Sequence, residues 1–201
     1  MRMFVQVITA PVGDAEAVKR TMERWVEERG PQAKGFLGST SGISTQNTFV
    51  VVARFESEEL ARQNSDDPGQ TAWWNDLSKG FAGEATFHDC TEINVFGGGG
   101  SDEAGFVQVI QGRATDKRAM QSMSDEFGDR MSEVRPDVLG SLTAWDGDFY
   151  TDVVYFTSEA DARAGEAKTL PPEMQAEMER WQSMTEGVQF HDLKDPKLVS
   201  P

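Results

Sequence analysis

Cysteine, histidine and basic residues are scarce in this sequence, and each scarcity excludes a class of protein. Cys90 is the only cysteine, so the chain has no internal disulfide and no metal site built from several thiolates. Lysine and arginine number 19 against 34 acidic residues, which gives a formal net charge of −15. Such a chain repels phosphate groups, so we expect neither nucleic acid nor an anionic membrane as a partner. No apolar stretch approaches membrane-spanning length, and we expect a cytoplasmic protein.

The most informative feature that is present is an internal repeat. The run Phe4–Ile8 recurs unchanged as Phe106–Ile110. Further matches follow in the same order at nearly constant spacing: Leu37–Ser39 with Leu139–Ser141, Phe55–Glu58 with Phe156–Glu159, Ala61-Arg62 with Ala162-Arg163, and Phe87–Asp89 with Phe190–Asp192. A glycine-rich segment of flexible composition separates the copies. We therefore predict a first repeat over residues 1–96, a linker over 97–105 and a second repeat over 106–201.

Both copies show the same order of predicted elements. Short runs rich in valine, isoleucine and phenylalanine predict four strands per copy. In the first copy these are residues 4–10, 35–44, 48–55 and a last strand through 87–89. Each predicted helical region begins after a capping residue, which is Asp14, Ser57, Asp116 or Ser158. Prolines interrupt the second helical region, which predicts two short helices there. The order β-α-β-β-α-β, twice, is that of the ferredoxin-like split βαβ unit.

The first strand is apolar on both of its faces. Val5 and Val7 lie on one face, and Phe4 and Ile8 lie on the other. Both faces must therefore be buried, and the helices can cover only one of them. We expect the sheet of the second copy to cover the other face. The predicted fold class is α+β, with two tandem ferredoxin-like repeats packed sheet to sheet as an intramolecular dimeric α+β barrel.

The sequence resembles a known superfamily in three features. These are the element order, the first strand Phe-Val-Gln-Val-Ile, and the third strand Ala-Arg-Phe-Glu-Ser or Tyr-Phe-Thr-Ser before a capped helix. It is similar to the dimeric α+β barrels, in particular the antibiotic-biosynthesis-monooxygenase-like domains, and to tandem proteins of actinobacteria. The resemblance covers nearly the whole chain and implies a small-molecule pocket between sheet and helices in each half. It leaves the activity open, because relatives oxidise polycyclic phenols without a cofactor, degrade haem, or only bind.

The haem-degrading relatives carry a first-strand Asn, a second-helix Trp and a His about ten residues after that Trp. In this sequence Gln6 and Gln108 stand at the position of that Asn. No His follows Trp73, Trp74 or Trp181 at the required spacing. Haem degradation is therefore not expected, and we expect no cofactor.

His88 and His191 are the candidate catalytic residues, since they are the only histidines and occupy equivalent places. A titrating imidazole could serve as general base toward a phenol. The alternative is a structural histidine in each copy. The neighbouring Asp89 or Asp192 points to the opposite face of its strand and cannot orient the imidazole directly. One histidine per copy, without carboxylates at ligand spacing, predicts no metal site.

The candidate ligand-binding residues are polar or aromatic side chains at comparable places of the two copies: Gln6, Arg54 and Trp74 in the first, and Gln108, Tyr155 and Trp181 in the second. Each glutamine lies among apolar neighbours, so its amide bonds either within the protein or to a ligand. The arginine and tyrosine could each bind a ligand oxygen, or they could differ by drift alone. The tryptophans either flank a cleft or pack in a core or subunit interface.

We expect the chain to bind a small apolar or aromatic molecule. Cofactor-independent oxidation of a phenolic or polycyclic aromatic compound is the reaction to test first. The alternative is a non-catalytic ligand-binding or stress-related scaffold module, so the sequence leaves open whether the protein is an enzyme. It also leaves open whether the pseudo-dimer remains a monomer or forms a homodimer.

Overall fold

The computed structural model describes residues 3–200, without the side chains of residues 124–130 and 132. It separates into two compact units. The first contains the residues up to Glu92 together with those from Pro196 onward, and the second runs from Ile93 to Asp195. Each unit thus contains one repeat. The short strand that follows the first repeat belongs to the second unit, and the short strand that follows the second repeat belongs to the first unit.

The elements of the two units follow the predicted order. The first unit contains β1 (Phe4–Pro11), α1 (Ala15–Arg24), β2 (Phe36–Ile43), β3 (Thr48–Phe55), α2 (Glu58–Ser65), α3 (Pro68–Ser78) and β4 (Thr86–Cys90). The second contains β5 (Glu92–Phe96), β6 (Phe106–Ala114), α4 (Lys117–Val134), β7 (Val138–Asp146), β8 (Phe149–Phe156), α5 (Glu159–Glu166), α6 (Pro172–Ser183) and β9 (Thr185–Leu193). The last strand, β10 (Lys197–Val199), belongs to the first unit.

The helices α1, α2, α4 and α5 begin where the sequence predicts, because a side chain before each accepts a hydrogen bond from an exposed backbone N–H. Asp14 accepts from the Ala17 amide at 3.0 Å, and Asp116 accepts from the Ala119 amide at 3.0 Å. Ser57 and Ser158 cap α2 and α5 in the same way. The predicted split of the second helical region into two short helices is also confirmed in both copies.

The first sheet has the strand order β10-β2-β3-β1-β4, with antiparallel neighbours. Its inner strands carry valines on both faces, and β1 buries Val5 and Val7 as well as Phe4 and Ile8. The α1 and α3 helices pack through Val18 and Leu77 against the face that carries Ile8. At the other end of that face, α1 continues into a π-helical turn (Trp25–Arg29) and a short 3-10 turn (Gly30–Gln32).

The second sheet repeats this order as β5-β7-β8-β6-β9. Met120 of α4 packs with Tyr150 of β8, and Ile110 of β6 and Trp181 of α6 pack against them, which marks the helix-covered face. At the far end of this unit, Arg135 forms a buried bidentate ion pair with Asp137. Burial opposes the charge of Asp137, but its bonds to Arg135 outweigh that effect and keep the pKa of the carboxyl below its usual value.

The fold class predicted from the sequence, an α+β tandem of two ferredoxin-like repeats, is confirmed. The sequence did not predict β5 and β10, because runs of three to five residues carry too little pattern to be recognised as strands. Within the described residues, no helix is both long enough and apolar enough to cross a membrane.

We predict that a chain ending at Asp195 is less stable in its first unit. The deletion removes β10, which pairs with β2 from Ser39 to Ser41, and removes Val199 from its contact with the Trp25 and Phe36 cluster. Partial burial of one valine predicts a loss of about 1–2 kcal/mol in free energy of unfolding. Hydrogen exchange should show faster exchange in β2 and unchanged exchange in β8. A chain ending at Val199 is the control, and equal exchange in both truncated chains would contradict the prediction.

Candidate functional site

The helix-covered faces of the two sheets differ in chemistry although their strand pairing is the same. Cross-strand pairing defines one row of four side chains across the middle of each face. In the first sheet the row is Ser41, Val51, Ile8 and Phe87. In the second sheet the row is Thr143, Asp152, Ile110 and Phe190. The second repeat therefore carries a carboxyl at the place where the first carries a valine.

Apolar side chains fill this face in the first repeat. Phe49 and Phe81 pack with ring centroids 5.5 Å apart, and Trp74 contacts Phe81 at 5.9 Å and Phe87 at 5.2 Å. Trp73 lies beside them and donates from Nε1 to the Thr21 carbonyl at 2.7 Å. Trp74 is thus part of an aromatic cluster that closes the face between α3 and β4.

Asp152 is the distinctive residue of the second repeat. The residue as a whole is half-buried, but its carboxyl is enclosed on the helix-covered face and accepts a hydrogen bond from Thr143 Oγ1 at 3.1 Å. Burial raises the pKa of this carboxyl to about 6, and the bonds from Thr143 and the Val153 amide only partly oppose that effect. A carboxyl with this pKa binds or releases a proton close to neutral pH, which is the range that acid–base catalysis requires.

Tyr150 lies two residues before Asp152 and therefore on the same face of β8. Its ring is fully buried between Trp145, at 5.8 Å, and Trp181, at 5.3 Å in an edge-on arrangement. Burial raises the pKa of Tyr150 to about 12, so its hydroxyl stays protonated at neutral pH. Within the described residues no atom forms a hydrogen bond with this hydroxyl.

Two clefts lie between α4 and α6 in the helix layer above this face. One, of about 460 Å³, is lined by Glu133, Val134, Pro171, Pro172, Glu173 and Met174. The other, of about 190 Å³, is lined by Ala119, Ser122, Met123, Glu177 and Arg180. Neither is lined by Asp152 or Tyr150, so the clefts and the polar face are separate features of one layer.

The predicted glutamines lie on the helix-covered faces but are bonded to carboxylates. Gln6 Nε2 donates to Asp89 Oδ1 at 2.8 Å, and Gln108 Nε2 donates to Asp192 Oδ1 at 2.9 Å. In the second repeat Arg163 also donates to Asp192, so the amide joins an ionic network. These contacts give each amide an internal partner, the first of the two alternatives left open by the sequence.

The predicted histidines lie on the opposite face of each sheet. His88 pairs with Val7 on β1 and is half-buried. His191 pairs with Val109 on β6 and is only 6% exposed, and neither ring nitrogen has a hydrogen-bond partner among the described residues. Burial lowers the pKa of His191 below its ordinary value, and Asp192 opposes that effect only in part. The sheets therefore separate each histidine from the glutamine of its repeat.

Arg54 and Tyr155 also lie on the faces turned away from the helices, opposite Val5 and Val107. The Arg54 guanidinium lies over Gly38 in the first unit, and its buried Nε has no hydrogen-bond partner among the described residues. Tyr155 is 1% exposed. These two residues share faces with the histidines.

Trp181 is not the positional counterpart of Trp74. It lies close to the end of α6, as Leu77 lies close to the end of α3, and its ring packs on Tyr150. Of the residues predicted from the sequence, Trp181 is therefore the one in direct contact with the Tyr150 ring. Among the described residues, no three histidine, cysteine or acidic side chains come together as a metal site.

Sequence analysis missed Asp152, Tyr150 and Thr143. The signal for Asp152 was present, because an acid interrupts the apolar run of the third strand of the second copy. Alignment of the two repeats would have placed Asp152 against Val51 and Tyr150 against Phe49. Position in an apolar strand, rather than residue type alone, indicates a carboxyl that folding buries.

We predict that Asp152→Asn stabilises the second unit at high pH and not at low pH. The carboxyl has a pKa of about 6 in the folded state and an ordinary pKa of 3.8 in the unfolded chain, so between these values the folded state binds more protons than the unfolded state. Stability therefore falls as the pH rises through this window, by roughly 2–3 kcal/mol, and the variant lacks that loss. Urea unfolding at pH 4, 6 and 8, together with hydrogen exchange of β8, measures this change in the free energy of unfolding. The exposed Asp148→Asn is the control, and parallel pH profiles for wild type and Asp152→Asn would contradict the prediction.

No protein-family model matches the sequence, and no curated protein sequence is significantly similar to it.

Solved structures do match the fold over the whole chain. A candidate monooxygenase from Fusobacterium nucleatum matches 99% of this chain and 94% of its own, with a TM-score of 0.79 and 9% identity. An anthrone oxidase-like protein matches 98% of this chain and 94% of its own, with a TM-score of 0.69 and 9% identity. A ferredoxin-fold protein related to antibiotic biosynthesis monooxygenases, from Listeria monocytogenes, matches 100% and 96%, with a TM-score of 0.52 and 10% identity.

At these identities the likeness establishes architecture, and it does so for both repeats at once. The chain has the fold of the tandem ferredoxin-like proteins related to antibiotic biosynthesis monooxygenases, the superfamily that its sequence resembles.

Proposed function

We propose that the second repeat binds a small, largely apolar aromatic molecule on the helix-covered face of its sheet and oxidises a phenolic or polycyclic compound without a cofactor. The observation that carries this proposal is the Asp152 carboxyl, which lies two residues from Tyr150 on the same face of β8 and whose pKa burial raises to about 6. The first repeat has apolar side chains at the corresponding places, so we propose one site per chain.

Asp152 would act as the general base. At pH 7 the carboxyl is mostly ionised, and its raised pKa makes it a stronger base than an ordinary surface carboxylate. It would accept the proton of a phenolic hydroxyl and leave an electron-rich phenolate that reacts with O₂. The overall change is phenol plus O₂ to quinone plus water, in which one oxygen atom enters the ring and the other leaves in water.

The surroundings of Asp152 support this chemistry. Tyr150, Trp145, Trp181 and Ile110 form an apolar wall that excludes water and favours an aromatic ligand. The hydroxyl of Thr143 holds Oδ1 of Asp152 and so orients the carboxyl on this face. A ligand would reach the face between α4 and α6, where the helix layer already contains two clefts.

His191 is a second candidate for the base, because its ring is neutral near pH 7 and neither of its nitrogens has a hydrogen-bond partner among the described residues. It lies on the other face of the second sheet from Asp152, so the two residues cannot serve one ligand. On that face Tyr155 would contact the ligand together with His191. In the first repeat the corresponding pair would be Arg54 and His88. Gln6, Gln108 and Trp74 would contact a ligand only if it displaced their present partners.

We expect one aromatic ligand to bind per chain. A thermal-shift screen of naphthols, anthrones and hydroquinones would identify a binder, and anaerobic calorimetry would give its stoichiometry. The variant Val51→Asp tests the contrast between repeats, because it places a carboxyl in the filled face of the first repeat. It should destabilise the chain without adding a second site. A stoichiometry of two for the wild type would contradict the single-site proposal.

We expect Asp152→Asn to reduce O₂ consumption with a bound phenol by at least about 100-fold, the usual contribution of a general base. Asn keeps the acceptor for Thr143 and removes only the base. The matched variant His191→Phe should keep the activity of the wild type. Loss of activity in His191→Phe, with Asp152→Asn active, would assign the base to the other face. Tight binding without turnover of any compound would replace the oxidase by a ligand-sequestering module.

A further inference from the structure

The Tyr150 hydroxyl is a polar group that folding buries without a partner. The residue is 0% exposed, and its Oη lacks a hydrogen-bond partner among the described residues. The Thr185 side chain lowers the pKa of Tyr150 as a hydrogen-bond donor would, although burial outweighs this effect, and Thr185 donates its hydroxyl hydrogen to the Gln182 carbonyl at 3.0 Å. Its distance and angles to Tyr150 do not make a hydrogen bond. Such a group is unfavourable in the free protein.

Packing alone does not require this hydroxyl. The first repeat has Phe49 at the same place, paired with Ala10 as Tyr150 is paired with Gly112. Phe49 is buried to 1% and fills its face with carbon atoms only. An aromatic ring without oxygen therefore satisfies the fold at this position.

The backbone opposite Tyr150 is adapted to the extra oxygen. A Cβ atom at Gly112 would lie 2.9 Å from Tyr150 Oη and 3.1 Å from two ring atoms. The absence of a side chain at Gly112 therefore leaves the room in which the hydroxyl lies. The second repeat thus combines a buried hydroxyl with the space for it, next to the Asp152 carboxyl on the same strand.

We propose that the Tyr150 hydroxyl donates a hydrogen bond to an oxygen atom of the bound aromatic ligand. This inference rests on the proposed site around Asp152 and specifies its ligand further. Tyr150 and Asp152 lie two residues apart on β8 and project from the same face, so the site offers a ligand one hydrogen-bond donor and one acceptor. The site therefore favours aromatic compounds with two oxygens, one facing Asp152 and the other facing Tyr150.

The test compares two ligands of equal shape under anaerobic conditions. The compound 4-methoxy-1-naphthol carries a second oxygen across the ring from its hydroxyl, and 4-ethyl-1-naphthol carries a CH₂ group in its place. The wild type should bind the methoxy compound about tenfold more tightly, the value of one hydrogen bond. Tyr150→Phe should bind both compounds with similar Kd values, because it removes the donor and keeps the ring.

Thermal unfolding of the ligand-free variants separates this role from a structural one. Tyr150→Phe should unfold at the same temperature as the wild type or at a higher one, since the hydroxyl has no internal partner to lose. The control Phe49→Tyr adds a hydroxyl to the first repeat and should leave the preference between the two naphthols unchanged.

The outcomes that overturn the inference differ from those that overturn the proposed site. Equal weakening of both ligands in Tyr150→Phe, or a lower unfolding temperature of that variant, would mean that the residue only packs or bonds internally. No preference of the wild type for the methoxy compound would have the same meaning. If the wild type binds neither naphthol, the proposed site fails and this inference fails with it.

Discussion

The alternation of side chains along paired strands assigns each candidate residue to one of the two faces of its sheet. Because β1 and β6 lie between two antiparallel neighbours, their register fixes the faces of β3, β4, β8 and β9 as well. Gln108, Asp152 and Tyr150 are directed toward the helices, whereas His191 and Tyr155 are directed away from them. A shift of one residue in register would exchange the two sets, so the same constraint defines the core and the candidate site.

The two repeats use the same frame for different purposes. In the first, Phe49, Val51 and Trp74 belong to an apolar core on the helix-covered face. In the second, Tyr150 and Asp152 replace the first two of these, and the aromatic contacts come from Trp145 and Trp181. Duplication permits this division, because one copy can supply stability while the other accepts polar groups that fold less favourably.

A buried carboxyl and a buried unbonded hydroxyl both lower the stability of the free protein, each by roughly 1–3 kcal/mol. The second unit contains features that oppose this loss, including the Arg135–Asp137 ion pair with its bond to the Ala162 carbonyl and the capped α5 helix. Unfavourable polar groups that persist in an otherwise well-packed layer are typical of functional sites. The ligand that we propose would account for the position of Asp152 and Tyr150.

The duplication, the element order, the helix caps and the ferredoxin-like class could be predicted from the sequence, because these depend on local patterns and on comparison of the copies. Trp181, whose indole packs on the Tyr150 ring, was also among the predicted residues. The bonds of Gln6 and Gln108 to the carboxylates of the last strands, and the position of the histidines on the other faces, became visible only in the folded chain. The same holds for Thr143, Asp152 and Tyr150, which share one face of the second sheet. Burial, pKa and hydrogen bonding depend on neighbours distant in sequence, and strand pairing brings those neighbours together.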